Sequence, residues 1–192
     1  MRKYIFALSI VLSVTALARS QDNGMSNRVK IDPDQTYLVL STKKIGTMEK
    51  ELDEVAAKGF RVMYGAPTQQ YDMALLLKRS EGDPGSHYSY KILATSRQKT
   101  MEKELNDAAK LGYRLLPRTI IFKQGFFTGE LVMAMEREPD SKRSFEYDLV
   151  SAGKESSLHK KIDASISLGF QPLTMVTIGE HIIVMEREIT TR

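Results

Sequence analysis

The chain has 192 residues, of which 42% are hydrophobic and 27% charged, with 12 glycines and 6 prolines. This ordinary globular composition excludes collagen, a coiled coil and wholesale disorder. The sequence has no cysteine, which excludes disulfides, thiolate nucleophiles, cysteine-ligated zinc, iron–sulfur clusters and a lipoprotein's acylated cysteine. The formal charge is only +4, so we expect no nucleic-acid partner.

Residues 1–20 have the features of a secretory signal peptide. Two basic residues precede the apolar run 4–18, which ends in the small-x-small sequence Ala-Leu-Ala. We expect cleavage after Ala18 or after Ser20. Because a membrane span needs about 20 apolar residues, we expect no stable membrane anchor after cleavage. Cleavage after Ser20 removes three basic residues and leaves a mature chain with 25 basic and 24 acidic residues.

The compartment follows from the leader and the lack of cysteine. Small secreted eukaryotic proteins often depend on disulfides, so an exported chain without cysteine is more typical of bacteria. We expect an exported bacterial protein, periplasmic or extracellular. Residues 21–35 are polar and show no amphipathic period, which favours a polar tether before the first folded unit.

Three similar segments follow the tether. The sequence Thr-Met-Glu-Lys-Glu-Leu occurs at 47–52 and again, unchanged, at 100–105. A third, more divergent copy follows at a further offset of 57 residues and keeps a glycine and an aromatic residue in step. A fixed period of this length is typical of repeat architectures. The predicted tandem repeats are 36–83, 88–140 and 144–192.

Each copy predicts a strand, a helix and two more strands. The opening runs are short and rich in aromatic and branched residues, as strands are. A hydroxyl residue then stands where a helix N-cap is expected, at Thr47, Thr100 and Ser157. A glycine follows each helix where a positive φ would end it, at Gly59, Gly112 and Gly169.

The third strand of each copy is continuously apolar, at 75–77, 131–135 and 182–185. Such runs indicate burial on both faces, so we place this strand between the other two and antiparallel to both. One helix covers only one face, and about eight uncovered side chains at about 2 kcal/mol each would rival a domain's stability of about 5–15 kcal/mol. The sister units are therefore expected to cover the open faces, and a homo-oligomer is the alternative.

The predicted fold class is α+β. Three tandem β-α-β-β repeats are expected to form one pseudo-symmetric body, with the helices outside and the sheets inside.

The second copy opens with Tyr-Lys-Ile-Leu at 90–93, has Leu105 in its helix, continues with Leu-Gly-Tyr at 111–113 and closes with Met-Glu-Arg at 135–137. In these features it resembles a family of small bacterial domains of unknown function, with a Tyr-x-apolar strand, a leucine-containing helix, Gly-Trp-Glu-Leu and a basic end to the last strand. The resemblance covers each repeat and implies no known activity. The chain departs from the family in lacking its tryptophan, at Phe60, Tyr113 and Phe170, and its glutamate, at Arg61, Arg114 and Gln171.

The sequence contains no recognisable catalytic or metal-binding motif. Its three histidines, His87, His159 and His181, stand alone, without the spacing of metal ligands or of a catalytic set. We expect no cofactor and no metal. The charged residues on the surfaces of the first two helices are interpreted as solvated and weakly paired; they are Glu49, Lys50, Glu51, Lys103 and Glu104.

Two features are candidate contacts. Arginines recur at equivalent edges of the copies and could converge on an anion or carboxylate; they are Arg61, Arg79, Arg114, Arg137 and Arg187. Their alternative is to pair with Glu136, Glu138 and Glu186 or to face water. The longer middle hairpin carries Phe126 and Phe127, which could anchor a partner or pack onto the core.

The first functional hypothesis is an exported soluble binding or scaffold module for an unknown protein or a small anionic ligand. The second is a small envelope enzyme, a hydrolase or isomerase, with its site assembled between repeats. The third is a homo-oligomeric assembly subunit. A deep cleft holding His159 or His181 against a buried carboxylate would favour the enzyme.

Overall fold

A computed structural model describes residues 29–42, 44–68, 73–80, 88–124 and 129–189. The predicted signal peptide, His87, Phe126 and Phe127 lie outside these residues. The chain is α+β, with three helices and three antiparallel sheets in the described ranges, which confirms the predicted class. None of the helices that the structure describes has the length and apolar character needed to cross a membrane.

The order strand, helix, strand, strand occurs three times, and in the second instance a 3-10 turn divides the middle strand in two. The elements are β1 (Tyr37–Thr42), α1 (Ile45–Ala56), β2 (Phe60–Pro67), β3 (Met73–Arg79), β4 (Ser89–Thr95), α2 (Gln98–Ala109), β5 (Arg114–Leu115), the 3-10 turn (Pro117–Thr119), β6 (Ile121–Gln124), β7 (Gly129–Arg137), β8 (Ser144–Ala152), α3 (Glu155–Ser167), β9 (Gln171–Ile178) and β10 (Glu180–Ile189).

The last strand of each sheet lies in its centre. In the first sheet β3 lies between β1 and β2, in the second β7 lies between β4 and the pair β5 and β6, and in the third β10 lies between β8 and β9. All pairings are antiparallel, so the predicted strand order is confirmed. The register aligns three rows of residues across the sheets: Tyr37–Lys78–Arg61, Tyr90–Glu136–Arg114 and Tyr147–Glu186–Gln171.

The predicted N-caps are wrong. The N-cap positions lie three residues earlier, at Lys44, Arg97 and Lys154, and no side chain caps the helices. The predicted hydroxyl residues are already inside the first turn, since the N–H of Thr47 donates to the carbonyl of Lys44. A threonine at the end of the preceding strand accepts from the residue before each of the first two helices instead, Thr42 from Lys44 and Thr95 from Arg97.

The glycines after the helices have the predicted backbone. Gly59, Gly112 and Gly169 have φ of 85°, 86° and 90°, in the region where a Cβ is disfavoured. The helix ends are therefore set by residue type, as the sequence predicts.

We expect Gly112→Val to lower the free energy of unfolding by about 2 kcal/mol, because a branched residue is strained at positive φ and its Cβ would meet the Arg137 side chain at 3.4 Å. Thermal or urea denaturation measures the loss. Gly153→Val is the matched control, since a Cβ there has open space. Equal stability of the two variants would contradict the assignment.

Three apolar cores link the elements in sequence. The first joins α1 and the inner face of the first sheet to residues of the second sheet, among them Tyr90, Ile92, Val132 and Ala134. The second joins α2 and the other face of the second sheet to the third sheet, through Phe145, Tyr147, Leu149 and Val184. The third lies between α3 and the remaining face of the third sheet. Each of the first two cores is therefore completed by the sheet that follows.

Burial of the central strands differs between the sheets. Residues 131–136 of β7 and 182–185 of β10 are all buried, as their apolar runs predict. In β3 the burial alternates: Leu75 and Leu77 are fully buried, whereas Leu76 is partly exposed. The prediction of two-faced burial is wrong for β3, because no sheet precedes the first one in the described chain to cover its other face.

The end of the predicted tether contacts the folded part. Val29 and Ile31 pack against the first core, and a turn forms where the N–H of Gln35 donates to the carbonyl of Asp32.

Candidate functional site

A polar cluster fastens the first sheet to the second. Arg61 on β2 donates to the Glu136 carboxylate from Nη2 at 2.7 Å and from Nε at 3.1 Å. The Tyr90 hydroxyl donates to the same carboxylate at 2.8 Å and accepts from the N–H of Val62 at 3.1 Å. We call these four residues the first clamp. It holds the free edge of β2 against the face of the second sheet.

The same arrangement fastens the second sheet to the third. Arg114 on β5 donates to Glu186 from Nη2 at 2.7 Å and from Nε at 3.2 Å. The Tyr147 hydroxyl donates to Glu186 at 2.9 Å and accepts from the N–H of Leu115 at 2.8 Å. We call these four residues the second clamp.

Strand register positions each clamp. Tyr90 and Glu136 are cross-strand neighbours on one face, so their side chains meet without any further constraint. The Glu136 side chain is 4% exposed and that of Arg61 is 41% exposed. The buried carboxylate is therefore neutralised by a guanidinium that reaches it from the rim, which is the arrangement a buried charge requires.

The clamp hydroxyls are held in the protonated form. Burial raises the pKa of Tyr90, and the charge of Glu136 raises it further. Burial likewise raises the pKa of Tyr147, with a further increase from Glu186. The hydrogen bonds to these carboxylates raise the pKa of Arg61 and of Arg114. At neutral pH the clamps contain fixed donors and a fixed charge pair, which suits cohesion between the sheets.

A pH dependence follows from the clamp tyrosines. Their folded pKa values lie above the unfolded value of about 10, so the unfolded chain ionises first. Stability that is fully present below about pH 10 should fall above it, by up to about 1.4 kcal/mol per pH unit for each tyrosine. Urea denaturation between pH 8 and 11 measures the slope, and the double variant Tyr90→Phe, Tyr147→Phe should flatten it. An unchanged slope in that variant would contradict the assignment.

The helices also bind the edge of the following sheet. The N–H of Ile92 on β4 donates to Glu49 at 2.9 Å, and the N–H of Leu149 on β8 donates to Glu102 at 3.2 Å. Asn106 bonds both the N–H and the carbonyl of Tyr147. These side chains satisfy strand edges that would otherwise be open. The interpretation of Glu49 as solvated charge is therefore wrong. The identical sequence around Glu49 and Glu102 is the signal that could have revealed their shared role.

The remaining predicted arginines have separate contacts. Arg79 donates to the carbonyls of Gln35 and Lys58 at 2.9 and 3.3 Å. Arg187 donates to Glu146. All three of the remaining guanidinium groups lie over aromatic rings, at 4.5 Å for Arg79 over Phe60, 4.6 Å for Arg187 over Phe170 and 5.1 Å for Arg137 over Tyr113. Each stabilises the segment around its own helix-ending glycine.

Arg61 and Arg114 do come together, at a cavity of about 240 Å³ that Arg143 also lines. Arg143 donates to Glu188 from two nitrogens, each at 2.8 Å, and Arg61 also reaches Glu138 at 3.4 Å. All three guanidinium groups already bind carboxylates, so at this cavity the arginines pair with glutamates, which was the alternative to a shared anion site. Binding of an anionic ligand there stays a prediction.

Both histidines within the described residues are exposed. His181 Nδ1 forms a hydrogen bond with Thr177 Oγ1 at 3.0 Å, and His159 lies on the exposed side of α3. Across the described ranges, no three histidine, aspartate or glutamate side chains are grouped so as to hold a metal ion.

The first sheet has an apolar outer face, which we call the open face: Tyr37, Val39, Tyr64, Leu76 and Lys78. Tyr37, Val39 and Tyr64 are 52%, 63% and 42% exposed. Cross-strand pairing places Tyr37 beside Lys78, and Val39 and Tyr64 beside Leu76. The corresponding tyrosines of the other sheets, Tyr90 and Tyr147, are 4% and 3% exposed.

Comparison with known proteins yields no relative for this chain: no protein-family model, no curated protein and no solved structure matches it. The resemblance to small bacterial domains of unknown function stays a prediction, and function is argued from the chain's own surfaces.

Proposed function

We propose that the protein is an exported binding or scaffold module, bacterial and periplasmic or extracellular, that binds another protein through the open face. In this proposal three tandem β-α-β-β repeats form one pseudo-symmetric body with its helices outside. The observation that supports it is the exposure of Tyr37 and Val39 at positions that are covered by a preceding unit in the second and third sheets.

The free-energy cost of exposing the apolar side chains of the open face supports the proposal that a partner covers them. An apolar side chain gains about 1.5–3 kcal/mol when it is fully buried, and contiguous apolar patches on monomers commonly mark interaction sites. The open face also includes residues of β1, which is an edge strand and so presents backbone groups for pairing.

The clamps support a preformed surface. Each fixes one sheet on the next through a carboxylate that accepts at least three hydrogen bonds, buried for Glu136 and partly buried for Glu186. A rigid body loses little conformational freedom on binding, which favours affinity. The same rigidity suits a scaffold that holds its partner at a fixed orientation.

Affinity capture from the envelope fraction, with the mature protein as bait, tests the proposal when matched variants are compared. Val39→Asp should abolish capture of a specific partner, because it places a charge at the centre of the open face. Ile166→Asp is the control, since Ile166 is 49% exposed on α3 at the other end of the chain. Identical capture by wild type and Val39→Asp would contradict binding through the open face.

A further inference from the structure

The open face has a positive charge where the equivalent faces of the second and third sheets have a negative one. On the central strands of the second and third sheets, the residue paired with the clamp tyrosine is a glutamate, Glu136 or Glu186. On the central strand of the first sheet, the equivalent residue is Lys78, which is paired with Tyr37. The tyrosine of the row is kept, as Tyr37. The open face therefore has the hydroxyl of a clamp but an ammonium group in place of its carboxylate.

The clamps define what such a face receives. In both clamps, an edge strand of the preceding sheet supplies an arginine to the glutamate on the central strand of the next sheet. The residue after that arginine donates its backbone N–H to the tyrosine hydroxyl. A lysine has three donors and no acceptor. A segment seated on the open face in the same way must bring a carboxylate to Lys78 and an N–H to Tyr37.

The chain's own last sheet cannot supply these groups. The positions that correspond to Arg114 and Leu115 are Gln171 and Pro172, as their pairing with Glu186 and Met185 shows. Glutamine has no charge, and proline has no backbone N–H. Both residues are exposed, so packing within the third sheet does not account for them. A second copy docked head to tail would leave Tyr37 without its donor and Lys78 without a counter-charge.

We propose that the open face binds a strand edge of a different protein, on which an aspartate or glutamate is followed directly by a residue with a free N–H. The carboxylate pairs with Lys78 and the N–H donates to the Tyr37 hydroxyl. A helix beside that edge would cover Val39, which has the register position of Ile92 and Leu149. This inference rests on the proposed function and adds the chemistry of the partner.

The chain itself provides the probe. In an acid-ended variant, Gln171→Glu with Pro172→Val, the edge strand β9 carries the proposed pair of groups. In a base-ended variant, Gln171→Arg with Pro172→Val, it carries the pair of the internal clamps. Sedimentation velocity over a concentration series measures self-association of each full-length mature variant, and thermal denaturation confirms that each is folded.

We expect wild type to remain monomeric and the acid-ended variant to associate head to tail, about tenfold more tightly than the base-ended one, because the charge at Lys78 attracts one and repels the other. Adding Lys78→Glu should invert this preference. The inverted pair also controls for any effect of the substitutions on the last sheet itself.

Three results would overturn the inference. Association of wild type through the open face would make a second copy the occupant. Equal association of the acid-ended and base-ended variants would remove the selectivity for a carboxylate. The absence of association in every folded variant would show that the face does not accept a strand edge. If Val39→Asp nevertheless loses a captured partner, the proposed function stands and only the partner chemistry fails.

Discussion

Replacing Glu136 by alanine is expected to lower the free energy of unfolding by about 3 kcal/mol. The substitution removes a carboxylate that is 4% exposed and accepts from both Arg61 and Tyr90. It leaves the buried Tyr90 hydroxyl without an acceptor, and hydrogen bonds to charged groups contribute about 1.5–3 kcal/mol each. Arg61 can regain water because it lies at the rim, which keeps the loss below that of a fully buried pair.

Glu138→Ala is the matched control for this change. Glu138 also reaches Arg61, at 3.4 Å, but its side chain is 47% exposed. An exposed ion pair contributes about 0–1 kcal/mol, so this variant should stay within that range by urea denaturation. A similar loss of unfolding free energy in both variants would show that burial does not make the Glu136 carboxylate more important than the exposed Glu138.

Replacing Val184 by aspartate should cost at least about 4 kcal/mol and prevent the third sheet from packing on the second. Val184 is fully buried in the core that joins these sheets, and an unpaired charge cannot be accommodated there without a large penalty. Denaturation followed by circular dichroism measures the loss.

Leu76→Asp tests the same position in the first sheet. Leu76 pairs with Val39 as Val184 pairs with Leu149, but its face is open. We expect a loss of about 1 kcal/mol, since aspartate is only moderately unfavourable in a strand. A loss as large as that of Val184→Asp would mean that the open face is covered in the folded protein.

Local chemistry made part of this fold predictable. The positive φ at Gly112 follows from the need to end a helix without a Cβ penalty. The central place of β7 follows from its apolar run, because only a strand with neighbours on both sides and cover on both faces can bury every side chain. Both features depend on a few adjacent residues, so a single sequence contains them.

The site was less predictable, because its groups are far apart in the chain. Arg61 and Glu136 are separated by 75 residues, so from the sequence their pairing is only an alternative to a shared anion site. Glu49 resembles any charge on a helix surface until the edge of β4 is placed beside it. The N-cap predictions were wrong for a related reason. Whether the turn before Thr47 is already helical depends on the backbone conformation on both sides of it.

What the sequence determined alone is the order and type of the elements, since periodicity, turn residues and helix-ending glycines act over a few residues. The tertiary structure decided which surfaces meet. It covered both faces of the second sheet and left one face of the first exposed. Similar sequence patterns therefore form clamps between the sheets and an open face on the first sheet. The physical reason is that burial depends on the neighbour that each face receives, and the first sheet has none before it among the described residues.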